Sequence, residues 1–281
     1  MELPSNLFDK QSLEKKRARA GKKMSESFLF KEVVSELKER IVDSNRQYHR
    51  VAVVTGCTEF WRQHMPEAEV VSDEDILGLK LVEYDLVIHT LCLHWANDPI
   101  GQLIQCRRAL KADGLFLCAL LGGRTLNQLK GSLSIAESRV SGGLSNRFSP
   151  MLEISEAGHI LQRAGFSLPV ADNITLNFSY KSIYNLIRDL RYMGETNCLS
   201  ERKKTFSASK LFREANKIYQ ENYGSEEFGI ISTFEVIFLA GWAPDASQPQ
   251  PLSPGSKATP LSEVLKSFEK IENNNEKNND H

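Results

Sequence analysis

The sequence is short of several features that would settle its class at once. No apolar run in its 281 residues approaches the roughly 18–20 that a bilayer span needs, and the start lacks the apolar core of a signal peptide. The cysteines Cys57, Cys92, Cys106, Cys118 and Cys198 are odd in number and form no CxxC pair. They read as reduced thiols in a cytosol-like compartment, not as a disulfide frame or a zinc site. No two of the six histidines have the HxxxH spacing, so no metal site is expected. A GxSxG elbow and a phosphate-binding GxxxxGK[ST] loop are missing too. Excess charge of one sign is also lacking: 35 Lys and Arg face 36 Asp and Glu, for a net charge of −1. That balance argues against a nucleic-acid protein working through bulk charge. What remains is an ordinary globular mixture, 41% hydrophobic and 25% charged, in a length that suits one large domain or one domain with a cap.

The chain opens on a basic stretch. Lys10 to Lys23 holds seven Lys or Arg and one acid, Glu14, and reads either as a solvated helix or mobile arm, or as a docking arm for an acidic partner or membrane surface. Phe28, Phe30, Val33, Val34, Leu37 and Ile41 then repeat at three-and-four spacing and predict an amphipathic helix. Short apolar runs separated by helical lengths follow. Val51–Val54, Val70–Val71, Tyr84–His89 and Leu115–Leu121 predict strands; Phe60–Met65 and Pro99–Leu110 predict helices, the second closed by a turn at Asp113-Gly114. Uninterrupted apolar strands alternating with helices indicate a parallel α/β sheet covered on both faces. Further on, helices are predicted over Leu126–Val140, Ile154–Ala164, Ser182–Met193 and Ala208–Tyr223. Strands are predicted over Phe166–Val170, Ile174–Tyr180 and Ile230–Gly241. Beyond Trp242 the composition turns to Pro, Ser, Gln and Asn and predicts a disordered tail.

Ligands of an open parallel sheet bind beyond the carboxyl ends of its strands, so three strand ends matter. At Thr55-Gly56-Cys57-Thr58-Glu59-Phe60 only Gly56 has the smallness a nucleotide turn needs. Cys57, at a helix start, reads as a buried structural thiol more readily than as a thiolate. Ser72-Asp73-Glu74-Asp75 could accept hydrogen bonds from an amino group or a sugar hydroxyl, cap a following helix, or be a solvated turn. In Leu91-Cys92-Leu93-His94-Trp95-Ala96-Asn97-Asp98, His94 is the candidate general base, set against a packed, hydrogen-bonded histidine as the alternative. Asn97 or Asp98 is expected to cap the helix that begins at Pro99.

Leu93-His94-Trp95-Ala96-Asn97-Asp98, Arg108–Phe116 and Leu121-Gly122-Gly123-Arg124-Thr125-Leu126 follow one another here. With Leu7-Phe8-Asp9-Lys10, Leu161–Phe166 and Met193-Gly194-Glu195-Thr196-Asn197, they resemble one branch of the class I S-adenosylmethionine-dependent methyltransferases. That branch holds complex I assembly factor 5 and its alphaproteobacterial relatives and is similar to the biotin-synthesis methyltransferase BioC. The resemblance spans about residues 5 to 262. It implies a Rossmann-like sheet binding S-adenosylmethionine under an inserted helical roof, with Gly56, Cys57, Asp73, Leu91, His94 and Trp95 as cofactor-side residues. It also implies action on an arginine of a respiratory complex I subunit, by methylation or hydroxylation, during assembly. The expected division is 1–45 basic arm and helix, 46–123 shortened cofactor-binding half, 124–243 helical cap with the closing strands, and 244–281 tail. Nothing resembling a leader precedes Leu7-Phe8-Asp9, so the expectation is a bacterial cytoplasm, with peripheral membrane contact through the basic arm.

The sequence departs from that family pattern at the cofactor turn. The family's first strand ends in an acid followed by Gly-Cys-Gly-x-Gly; here the acid position is Val54, and the later glycines are Thr58 and Phe60. Val70 to Val87 matches the family's third and fourth strands without gaps, leaving only Trp61 to Glu69 for the second strand and its helix. Those elements, and the acid that holds the ribose hydroxyls, are expected to be deleted, while Asp73, the adenine-side acid, survives. The first strand should then pair directly with the strand near Val70. Two readings stand side by side: an S-adenosylmethionine-dependent enzyme, or a catalytically inactive assembly or binding factor that no longer holds the cofactor.

Overall fold

The computed structural model of the chain describes residues 6–225, 227 and 229–249. Three helices, α1 (Lys10–Ala20), α2 (Lys22–Ser25) and α3 (Phe28–Asp43), lead into strand β1 (Val51–Thr55), helix α4 (Thr58–His64), and strands β2 (Glu69–Ser72) and β3 (Tyr84–Thr90). A single 3-10 turn at Leu93–Trp95 precedes α5 (Pro99–Ala109) and β4 (Leu110–Leu121). After α6 (Asn127–Ser141) and α7 (Ile154–Arg163) comes the long strand β5 (Ser167–Tyr180), followed by α8 (Ile183–Met193) and α9 (Ser209–Tyr223). The two-residue β6 (Gly224–Ser225) and then β7 (Gly229–Trp242) end the sheet.

The sheet runs in the order β2-β1-β3-β4-β7-β5, with β6 pairing β7 off that path. Strands β2, β1, β3 and β4 are parallel to one another; β7 runs antiparallel to both β4 and β5. The expected shortening is present. β1 pairs directly with β2, Thr55 opposite Ser72, and only the seven-residue α4 and a tight turn connect them.

Alternation along β1 divides the core. Val51 and Val53 face the layer that contains α3, α4, α8 and α9, while Ala52 and Val54 face α5 and α7. On the first face Phe30, Phe60 and Trp61 are buried and meet edge to face, with ring centroids 5.6 and 6.0 Å apart. Such aromatic pairs contribute about 0.5–1.5 kcal/mol each beyond the area they bury. Phe60, which follows the Gly56 turn, serves the core.

Three expectations change. Phe166–Val170 and Ile174–Tyr180 are not two strands but one, β5, tracked along its length by β7, with a register shift between Ser167 and Val170 beside Pro169. An edge strand absorbs such a proline by bulging. No turn breaks the chain at Asp113-Gly114: β4 runs through it as one strand, with Asp113 at φ 55° and a register shift against β3 between Tyr84 and Leu86. The basic segment is neither a mobile arm nor a fully solvated helix: Leu13 and Ala20 are buried and α1 packs against α8. The Pro, Ser and Asn-rich tail from residue 250 onward lies outside the described residues.

Candidate functional site

The ends of β1, β2 and β3 lie at one level, because Thr55 pairs with Ser72 on one side and with Thr90 on the other. Gly56, Asp73 and Leu91 therefore stand side by side where each strand stops. Leu91 takes a left-handed backbone (φ 49°), costly for a branched side chain, and its N–H is tied to the Ala119 carbonyl at 2.7 Å. The first turn is tightened by the Thr55 hydroxyl, which accepts from the Cys57 N–H at 3.1 Å. Cys57 is buried, and burial pushes its thiol pKa up, as suits a packed thiol. All five cysteines are buried with free thiols.

A cleft of about 630 Å³ opens over these strand ends, lined by α1, the Gly56 turn and the acids Asp73, Glu74 and Asp75. Its central feature comes from the basic segment. Arg17 Nη1 donates to both carboxylate oxygens of Asp73, at 2.7 and 2.9 Å, with both side chains about nine-tenths buried. The guanidinium lies directly on Gly56: a Cβ there would fall under 3.0 Å from Cζ, Nη1 and Nη2 of Arg17. The Arg17 stem passes Gly194, the left-handed cap of α8 (φ 77°), where an added Cβ would be 3.1 Å from Cγ. Burial lowers the Arg17 pKa, but Asp73, and beyond it Cys92 and Glu195, outweigh that and raise it, so the guanidinium stays charged. Nη2 has no acceptor among the described residues.

The acids after β2 do not cap a helix, since none follows them. Glu74 and Asp75 give their backbone carbonyls to Gln102 and Gln105 of α5, at 2.9 Å each. Asp98 is the cap of α5, accepting from Gly101 N–H at 2.8 Å. Asn97 instead clasps the backbone of Phe8, accepting from its N–H at 2.8 Å and donating to its carbonyl at 3.2 Å.

His94 and Trp95 converge on a residue a hundred positions away. Glu195 Oε2 accepts from the Trp95 indole at 2.9 Å and faces His94 Nε2 at 3.2 Å. The His94 side chain is 1% exposed and that of Glu195 7%. If Nε2 carries the proton, Nδ1 is left as a buried lone pair without a partner among the described residues. This geometry is that of the packed, hydrogen-bonded histidine. Glu195 and Trp95 help line a second, largely apolar cavity of about 210 Å³, bounded by Leu126, Leu129, Phe148 and Phe234.

Thus the structure gathers Gly56, Cys57, Asp73 and Leu91 at the strand ends and places His94 and Trp95 on Glu195. Sequence reasoning missed Arg17 and Glu195. It also missed why distant motifs occur together: Phe8, Leu13, Trp95, Cys198 and Leu199 form one buried cluster. Asp9 caps α1 through Ser12 N–H at 2.9 Å while accepting from Arg202 at 2.9 Å.

S-adenosylmethionine, which the resemblance implies, finds neither Gly56 nor Asp73 free in this arrangement, although the cleft beside them is open. The guanidinium covers Gly56 and takes both oxygens of Asp73, and among the described residues no strand lies beyond β2 to carry a further acid.

A parallel sheet closed by an antiparallel β7, with its cleft over the first strand end and a helical roof, defines the methyltransferase class of Rossmann-like folds. The chain is 31% identical to the mouse protein "Arginine-hydroxylase NDUFAF5, mitochondrial", covering 93% of this chain and 84% of that one. The human protein of that name is 30% identical at the same coverage. The chain belongs to this NDUFAF5 family. The mouse alignment runs over 291 residues, more than the chain contains, so it carries gaps in this chain. A malonyl-[acyl-carrier protein] O-methyltransferase of Xylella fastidiosa is 30% identical over 64% of this chain and 58% of its own length. The solved YcgJ protein of Bacillus subtilis superposes with a TM-score of 0.43 at 12% identity, over 72% of this chain and 94% of that one. No family model matches the sequence. Among the described residues no helix is long and apolar enough to cross a membrane.

Proposed function

We propose that this chain is an assembly factor that receives an arginine side chain of a respiratory complex I subunit in the cavity that ends on Glu195, working in a bacterial cytoplasm. The carrying observation is the carboxylate itself, nearly buried in an apolar wall and oriented by Trp95 and His94. A long apolar stem with a cationic, many-donor head suits such a wall, and a guanidinium meets a carboxylate in charge-assisted hydrogen bonds. In this reading His94 is a positioning residue that fixes the Glu195 carboxylate. The arginine named in the relatives' description supports the same substrate class.

One observation favours the non-catalytic form of this reading. Arg17 lies on Gly56 and takes both oxygens of Asp73, two of the groups the family's methyl donor would use, so in this form the chain holds its arginine partner without cofactor chemistry. The test is capture of candidate complex I subunits by the purified full chain, then binding of the captured arginine-bearing segment beside its Arg→Gln counterpart. Arginine-dependent binding that falls at least tenfold in Glu195→Gln is expected. Equal binding of both segments, or indifference to Glu195→Gln, would contradict the proposal.

A further inference from the structure

Loss of the second strand moves Asp73. In a sheet where another strand separates it from β1, the acid after Val70-Val71 would stand two strand spacings from Gly56, about 9–10 Å. Here β2 is the immediate neighbour of β1 with Thr55 opposite Ser72, so Asp73 stands next to Gly56. That is where the family's sugar-binding acid would be. A carboxylate there is suited to accept two hydrogen bonds from the vicinal hydroxyls of a nucleoside.

Arg17 supplies those bonds from within the chain. Its Nη1 reaches both Asp73 oxygens, and the planar head rests on the one glycine of the turn. The stem has its own slot at Gly194, where the lack of a Cβ leaves room for Cγ. Helix α1 is pinned at its start by Asp9 to Arg202 and Phe8 to Asn97, and along its length by Lys16 to the Asn197 carbonyl. Lys10 reaches the Asp73 carbonyl at 3.4 Å and Asp75 at 3.9 Å. The segment that covers the cleft is thus fastened to the same loop, residues 195–202, that carries Glu195.

We propose that Arg17 is a built-in occupant of the nucleoside place: α1 carries a guanidinium onto Gly56 and Asp73, and the closed chain excludes a nucleoside-type cofactor until α1 lifts. This inference goes beyond the arginine-cavity reading, since the cleft and the cavity are probed by different ligands.

The test uses the full chain and S-adenosylhomocysteine. Calorimetric titrations of wild type, Arg17→Ala and the milder Arg17→Gln are run beside amide exchange of residues 10–20. Both variants are expected to bind at least tenfold more tightly than wild type, and α1 amides are expected to exchange faster in them and to slow when ligand is added. Arg17→Gln keeps a hydrogen-bonding partner for Asp73, so it serves if the alanine variant fails to fold. Affinity that is unchanged in the folded variants, including no binding by any form at millimolar ligand, would overturn the proposal. So would tight wild-type binding that the substitutions weaken, since Arg17 would then be a ligand of the cofactor and not its substitute.

Discussion

Gly56 and Asp73 stand side by side at the ends of neighbouring parallel strands, one residue beyond the Thr55–Ser72 pair. Between them they hold Arg17, the glycine by having no side chain and the aspartate by accepting both bonds. Direct pairing of β1 with β2 thereby sets up an ion pair at the mouth of the sheet.

The Arg17–Asp73 pair should matter more to stability than its exposed counterparts. Breaking a buried pair leaves an uncompensated charge and costs about 3–5 kcal/mol, whereas exposed pairs contribute at most about 1 kcal/mol. Asp73→Ala is therefore expected to lower unfolding free energy by about 3 kcal/mol. Lys217→Ala, which breaks an exposed pair with Glu221, should change it by less than about 1 kcal/mol. Urea unfolding of both variants measures the contrast.

Gly194 has two reasons to be glycine. Its φ is 77°, and an added Cβ would press on Arg17 Cγ at 3.1 Å. Gly194→Ala should cost about 1–2 kcal/mol, more than a left-handed helix cap alone, and should speed amide exchange in α1. Thermal unfolding with exchange measurements separates the two effects; a stability loss without faster α1 exchange would show the Arg17 contact to be incidental.

Trp95 donates to the Glu195 carboxylate through its only polar atom. Trp95→Phe keeps an aromatic ring near Phe8 but removes a charge-assisted bond to a buried acceptor, for an expected loss of about 1–3 kcal/mol. Denaturant unfolding at neutral pH measures that loss.

Acid should destabilise the chain in two stages. Burial holds His89 down at about 4, against the partial compensation of Gln102. As pH falls from 6.5 to about 4 the unfolded chain takes up a proton that the folded one resists, so stability is lost across that window. Glu137 is held at about 2, mainly by Arg147 and further by Ser145. Its contribution is complete above pH 4.5 and is lost as pH falls from 4.5 toward 2. Each is on the order of 3 kcal/mol. Unfolding free energy measured from pH 7 to pH 3 should fall throughout, and His89→Gln should flatten the upper stage and Glu137→Gln the lower.

Much of this fold is written in local patterns. The apolar runs at Val51–Val54, Tyr84–His89 and Leu115–Leu121 give their strands directly, because a strand covered on both faces needs no alternation. Even the pairing of β1 with β2 follows from the shortage of chain between Trp61 and Glu69. Arg17 was not legible, because a helix basic on most of its surface with only Leu13 and Ala20 buried has too weak a pattern to show which face turns inward. Glu195 was visible as part of a motif, but its partnership with Trp95 exists only once the chain has folded. The break expected between Val170 and Ile174 failed for a similar reason. Asp172 and Asn173 are polar, yet Asp172 finds Arg40 and Asn173 finds Glu235, so the strand continues through them.

The most direct measurement is a crystal structure of the full chain grown with millimolar S-adenosylhomocysteine. The result predicted is the Arg17 guanidinium on Gly56, bonded to both oxygens of Asp73, with no nucleoside between them. A ligand seated on Gly56 with its sugar hydroxyls on Asp73, and Arg17 turned away in the unmodified chain, would contradict the exclusion of the cofactor.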